Sequence, residues 1–341
     1  MTGLLAPPQP PADSAAPQRP RKLRSNLAPA DRAFRGIARG GGTTVLAIMG
    51  LVGTFLAYRA WKALHAAGFS FLTTQDWSPG AGKFGIAAVM VGTILIALVA
   101  IITAVPLAIG TALYISEYAP RRIQRTLISL IDLMAAVPSV VYGLWGFKFL
   151  EWRMTGLSRW ISDWFGWIPI FKVDGVTRHD PLSTPTVYTS STFVAGVVVA
   201  LMVTPIACSI MREAFSQAPP GEREGAFALG ATRWGMIRSV VLPFGKGAII
   251  GGTMLGLGRA LGETIAVIMI ISPVFAIQTH VLQNGTSSVS SLIALHYGES
   301  NPFALSALMA AGLALFVLTL IVNFIAASIV ARSRSGAVSE A

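Results

Sequence analysis

Charge is scarce in this chain. Asp, Glu, Lys and Arg make up 12% of its 341 residues, about half the roughly 25% of an ordinary soluble domain. Hydrophobic residues make up 53%, and the two figures together point to an integral membrane protein. Cysteine is scarcer still. The single one, Cys208, excludes an internal disulfide and a cysteine metal site, and it reads as a small buried hydrophobe in an apolar helix. The four histidines, His65, His179, His280 and His296, lack metal-ligand spacing. No Gly-x-x-x-x-Gly-Lys-Ser/Thr phosphate loop is present, so ATP binding by that route is excluded. No nucleophile–base arrangement stands out either. Neither a cofactor nor a catalytic constellation is therefore expected.

Lys and Arg exceed Asp and Glu by 11, but the basic residues do not cluster on one soluble module, which excludes a nucleic-acid reading. They sort by loop instead. Six apolar spans, at about 43–65, 85–115, 126–149, 191–212, 247–275 and 304–331, each approach or exceed the ~20 residues needed to cross a bilayer. If the N-terminus lies inside, 17 Lys and Arg fall in inner segments and eight in outer loops and outward helix ends, with Arg259 left within the membrane. That bias predicts an all-α integral membrane protein with six transmembrane helices and both termini cytoplasmic.

Residues 1–28, rich in Pro, Ala and Arg, predict a disordered cytoplasmic tail and not a cleaved signal peptide. Over 29–42, Arg32, Arg35 and Arg39 share one side while Phe34 and Ile37 lie off it, which predicts a short interfacial helix. The six-span domain covers 43–331, and 332–341 form a second cytoplasmic tail. In the outer loop 150–190, Trp160, Trp164 and Trp167 recur at helical spacing beside Phe165 and predict a helix lying in the outer interface. Pro106, Pro138 and Pro205 lie inside the second, third and fourth spans, where each can kink its helix.

The fifth span holds two ionisable groups, Arg259 and Glu263. At 100° per residue they fall within about 60° of Gly252 and Gly256 on one strip of the helix. The glycines Gly252/Gly256 and Gly258/Gly262 have the spacing that permits close helix approach. Four residues apart, the charges can pair, and pairing lowers the expense of keeping both at that depth. Two readings stay open: the pair locks two helices together, or Arg259 meets an anion in transit while Glu263 holds or gates it. Guanidinium suits the second reading, because its planar fork matches an oxyanion bidentately.

The inner loop ahead of that span runs about 212–246. Pro220 suits a first helical turn, Glu222 and Glu224 complement the positive end of a helix dipole, and Gly230 can split the helix into two. Gly225, Ala226 and Ala231 keep the backbone thin. A thin, bent helix pair of this kind fits another protein's groove.

Glu224-Gly225-Ala226, then Gly230 after three residues, then Val240-x-Leu242-Pro243 resembles the EAA motif of ABC importer permeases. Gly225 stands where the consensus has Ala, and Val240 where it has Ile. Leu133 to Gly146, Phe215 to Ala226, Gly256 to Thr264 and Phe71 to Trp77 are similar to the phosphate permeases of that superfamily. The resemblance covers about residues 30–331 and implies the type I permease fold of ABC importers. It implies a homologous second permease subunit, two copies of an ATPase and an extracytoplasmic phosphate-binding protein as partners, with phosphate as substrate, in the bacterial inner membrane. By motif position it assigns Glu224, Gly225, Ala226, Gly230, Leu242 and Pro243 to ATPase coupling, within the coupling loop 219–243, and Arg259 and Glu263 to the substrate pathway. A permease for sulfate or molybdate is the nearest alternative. An ion-coupled secondary transporter would leave the 212–246 loop without a purpose.

Overall fold

The computed structural model describes residues 29–174, 185–299 and 301–334. The tail expected at 1–28, the last residues of the 332–341 tail, and residues 175–184 of the long 150–190 loop lie outside them. Helices dominate, in the order α1 (Pro29–Ala67), α2 (Ser70–Thr73), α3 (Ala87–Leu113), α4 (Arg121–Ala136), α5 (Ser139–Trp145), α6 (Glu151–Phe165) and α7 (Thr192–Ser216). They continue as α8 (Pro220–Ala228), α9 (Arg233–Met236), α10 (Leu242–Gly262), α11 (Ile265–Ile270), α12 (Val289–His296) and α13 (Pro302–Arg334). Between α2 and α3 the strands β1 (Trp77–Ser78) and β2 (Lys83–Phe84) pair antiparallel, with Trp77 opposite Phe84. Wide π-helical turns cover Tyr114–Tyr118 after α3, Gly146–Leu150 between α5 and α6, and Ile237–Val241 between α9 and α10.

Contacts divide the chain into a unit Met1–Leu51 and a unit Val52–Ala341. The described part of the first is the N-terminal part of α1. The interfacial helix expected at 29–42 and the span expected at 43–65 are one uninterrupted helix.

Among the described residues, five helical stretches are long and apolar enough to cross a membrane: 29–67, 87–118, 192–216, 233–262 and 302–329. α4 with α5 and α6, which meet at a 90° bend, pass the same test only together and count as a sixth crossing if the pair is one span. The expected third span, 126–149, is therefore bent, and its cause is local. Val137 precedes Pro138 and is driven to extended backbone, ψ 129°, while Pro138 itself has ψ 143° and starts α5. Pro106 and Pro205 lie inside unbroken α3 and α7. The expected tryptophan-bearing helix is present as α6, which carries Trp160 and Trp164 but ends at Phe165, short of Trp167; all three tryptophans are exposed.

The centre of the second unit is the α3–α7 pair, the most extensive helix contact in the chain. It is built from small side chains. Ala97, Ala100 and Ala104 of α3 are buried against Val194, Val198 and Val203 of α7. Ala108 and Ala112 continue the stripe against Ala207, Cys208, Met211 and Phe215. Small residues let two backbones approach closely, so dispersion contacts replace the hydrophobic drive that lipid does not supply. Two glycines mark close approaches to this pair from its neighbours. A Cβ on Gly256 would meet Val203 Cγ1 at 2.5 Å, and one on Gly92 would overlap the Ser287 carbonyl.

Ser287 belongs to a stretch with no counterpart in the six-span expectation. From Ile271 to Ser288 the chain leaves the helical conformation, and it then enters α12 through a capping box made by Ser288 and Ser291. Thr93 of α3 ties this stretch down, its hydroxyl accepting from Val289 N at 2.9 Å. Gly92→Ala is expected to destabilise the protein by about 1–3 kcal/mol through overpacking against backbone. Gly247→Ala, whose Cβ enters open space, should leave thermal unfolding in detergent unchanged. Equal unfolding midpoints for the two variants would contradict this account of the Gly92 contact.

Candidate functional site

The two ionisable groups of the fifth span sit at a break. α10 stops at Gly262, and Glu263 takes extended backbone with ψ 126° before α11 begins. The helix expected over 247–275 is thus interrupted. The turn comes after the Glu263 Cα, whose φ of −66° is still helical, so Glu263 leaves the backbone near the i+4 position from Arg259, but its carboxylate is drawn to the start of α11. No ion pair joins Arg259 and Glu263 among the described residues.

Each charge is instead placed at a helix end of opposite polarity. Arg259 lies in the last turn of α10, where exposed carbonyls make the helix end negative. Glu263 precedes α11, and its Oε1 accepts from Ala266 N at 3.3 Å, at that helix's positive end. The Glu263 carbonyl accepts from the Ser290 hydroxyl at 2.8 Å, which pins the break to α12. The geometry resembles the broken helices by which membrane proteins bring half-helix ends to a polar path.

Of the glycine strip, only part serves close approach. Gly252 and Gly256 face α7, where added Cβ atoms would meet Ala207 and Val203. Gly262 faces open space. Arg259 is exposed and Glu263 half-buried, so the arginine points away from the α7 contact. Tyr142 joins the site from α5. Its hydroxyl donates to the Met134 carbonyl at 2.9 Å, across the Val137–Pro138 bend. Pro138 has no N–H, so the tyrosine supplies a donor that an unbroken helix would have provided. α5 abuts α11 so tightly that a Cβ on Gly143 would lie 2.8 Å from Ala266 Cα. A Tyr bridging the Pro138 bend was not singled out by sequence. The Tyr-Gly pair following Pro138 was the available signal.

The second group of residues lies on the 219–243 segment. Pro220 occupies the first turn of α8, and Glu222 lies in that turn. Gly230 has φ +83°. Its N–H bonds the Phe227 carbonyl at 2.9 Å and Ala231 N bonds the Ala226 carbonyl at 3.0 Å, the Schellman arrangement that ends a helix. Thr232 then caps α9 by accepting from Gly235 N at 3.1 Å. The result is the expected bent helix pair. Glu224 and Gly225 are exposed, and Ala226 is half-buried against the cluster around Phe215. A Cβ on Gly225 would meet open space, so glycine there reflects no crowding within this chain. Leu229 is 91% exposed, and Phe227 and Trp234 are also exposed, an apolar rim around the bend.

Leu242 and Pro243 open α10, directly after the wide turn Ile237–Val241. A proline there lacks the donor for a regular helical bond, and the π turn is where the bonding pattern changes. α9, that turn and α10 form one stretch from Arg233 to Gly262, about 45 Å long at 1.5 Å per residue. One rod therefore leads from the α8–α9 bend, through Leu242 and Pro243, to Arg259.

Glu117 is a further residue that sequence reasoning passed over. It sits in the π turn ending α3 and holds Arg223 of α8 at 3.1 Å. The available signal was an acid next to Arg121, Arg122 and Arg125 in a basic loop.

Residues 104–335 match the family described as binding-protein-dependent transport system inner membrane component. The chain is 37% identical over 303 residues to the phosphate transport system permease protein PstC 2 of Mycobacterium tuberculosis, covering 88% of this chain and 91% of the relative. It is 35% identical over 300 residues to the phosphate transport system permease protein PstC of Pasteurella multocida, with the same coverage, 88% and 91%. A bacterial alginate ABC transporter solved with an alginate pentasaccharide-bound periplasmic protein is similar in fold. Its TM-score is 0.56 at 16% identity, over 86% of this chain and 93% of that one. An inward-facing MetNI methionine ABC transporter gives a TM-score of 0.50 at 14% identity, over 71% and 93%.

Gly230→Leu places a side chain in the left-handed region, at an expense of about 1–2 kcal/mol, and should loosen the α8–α9 bend. Tryptic cleavage at Arg233 is expected to speed up several-fold, whereas Gly225→Ala should cleave at the parental rate. Unchanged cleavage in Gly230→Leu would refute the bend's dependence on that conformation.

Proposed function

The chain belongs to the family of binding-protein-dependent transport system inner membrane components, and from that premise we propose that it is the permease subunit of an ATP-driven phosphate importer. The fold is that of ABC importer permeases, and the chain is a membrane transport component and not an enzyme. An ABC ATPase and a substrate-binding protein are its general partners. The observation that carries the substrate is the identity to phosphate permeases along nearly nine-tenths of the chain.

The finer assignments are part of the proposal. The second permease is PstA-like, the ATPase is a PstB-like dimer and the binding protein is PstS-like. Both termini and the 219–243 segment face the cytoplasm, as the Lys and Arg distribution supports. α8 and α9 dock on the ATPase through Glu224, Gly225, Ala226 and Gly230, with Leu242 and Pro243 opening α10 within the rod that leads away. At the other end of that rod, Arg259 meets phosphate and Glu263 holds the break. Phosphate sheds tightly held water on entry, and an exposed guanidinium offsets part of that loss. Glu263, already engaged at the start of α11, opposes a second anion and keeps the site from becoming a trap. ATP binding draws the ATPase subunits together, the docked helices follow, and the spans change from inward-open to outward-open. The chain contributes two conformations of nearly equal stability, which the ATP cycle biases.

Labelled phosphate uptake by the reconstituted complex should require ATP and resist competing sulfate and molybdate. Uptake that persists without ATP and collapses with the proton gradient would transfer the chain to the ion-coupled class. Arg259→Ala should lower uptake at least 100-fold while the subunits still co-purify. Dissociation of the complex would assign Arg259 to helix locking instead.

A further inference from the structure

One contact joins the docking segment to a helix other than its own rod. Arg223, in the first half of α8, extends Nη1 to Glu117 Oε2 at 3.1 Å, with the two side chains 22% and 5% exposed. Its Nη2 donates to the Phe215 carbonyl in the last turn of α7. A single guanidinium thus ties α8 to the ends of both central helices. The contact is incomplete. Glu117 Oε1 and Arg223 Nε are buried and have no hydrogen-bond partner. Carboxylate and guanidinium match as a fork of two parallel bonds. Here one bond of that fork is made, and its second acceptor, Oε1, stands unused; the matching donor is the N–H of Nη2 that faces Nη1, since Nη2 spends only one of its two on the Phe215 carbonyl. A buried polar atom without a partner is costly, so a shift that brings Oε1 to Nη2 is favoured.

At the far end, α3 reaches the break. Thr93 lies about 36 Å along the helix from Glu117 at 1.5 Å per residue. There its hydroxyl holds Val289 N, Gly92 abuts Ser287, and the next residue of α12, Ser290, binds the Glu263 carbonyl.

We propose that the Arg223–Glu117 pair is a two-position coupling latch: it closes to the bidentate form when α8 is displaced, and so moves α3 together with the α12 contact that holds the Glu263 break. α3 is then a second strut beside the α9–α10 rod, and Arg223 and Glu117 are positioning residues. The inference rests on the docking role given to α8 above. It predicts that charge alone is not enough, since a lysine at 223 can pair with Glu117 but cannot form the fork.

The test uses the full complex in proteoliposomes, with Arg223→Lys and Glu117→Gln compared to the parent. Both variants should co-purify with the other subunits and hydrolyse ATP within about twofold of the parent, while phosphate moved per ATP falls at least tenfold. Arg223→Lys transporting at the parental ratio would overturn the latch. So would loss of assembly in both variants, which would make the pair a purely structural tie. A parent complex that moves no phosphate would sink the substrate reading and not this one. The latch is then judged by labelling Ile265→Cys in a Cys208→Ser background. ATP with vanadate should change labelling in the parent, and either latch variant should abolish that change. An ATP-dependent change that survives in both would end the proposal.

Discussion

A full charge in a lipid-spanning segment has to meet something of opposite sign, or the segment does not stay in the membrane. At least ~2.5 kcal/mol opposes each such group at the bilayer centre. This chain satisfies that constraint by breaking a helix, not by pairing the charges. Stopping α10 at Gly262 creates a negative helix end for Arg259 and a positive one for Glu263. The arginine is thereby left exposed, while the carboxylate is engaged by α11. The non-helical stretch from Ile271 to Ser288, the α12 capping box and the tight contact at Gly92 all follow, because something has to hold a broken span in place.

Much of this was legible in the residues. Runs of apolar sequence located the spans that became α1, α3, α7 and α13, and Pro220, Gly230 and the acids of the first turn located the bent helix pair. What escaped was conformation at single residues. Helical periodicity places Glu263 beside Arg259, but a ψ of 126° at Glu263 starts a new helix whose Ala266 N–H takes the carboxylate instead. Apolar composition over 126–149 is indifferent to the 90° bend that Val137 and Pro138 introduce. The Arg223–Glu117 contact joins residues 106 positions apart, and nothing local in either segment announces it. The tryptophans of α6, by contrast, were readable because their spacing and their exposure express the same helix.

The alanine stripe between α3 and α7 explains how such a site can be both held and moved. Ala97, Ala100, Ala104, Ala108 and Ala112 offer contact without interlocking knobs. Helices that meet through small residues can shift along one another with little repacking, the shear mode of conformational change. The larger side chains, Phe215 and Met211 among them, collect near the α8–α9 bend. The packing is therefore most interlocked at that end of the pair.

The wide turn at Ile237–Val241 has a bearing on direction. A π turn accommodates about one residue more than the α turn it replaces, and each residue of helix rotates the chain by about 100°. The heading of Arg259 around the axis of α10, measured from the apolar rim at Phe227 and Leu229, is thus set by one inserted position eighteen or more residues earlier. Removing a residue there would leave a longer regular helix and both ends intact. It would also swing the guanidinium by roughly a quarter turn, so this segment acts as the angular zero of the whole rod.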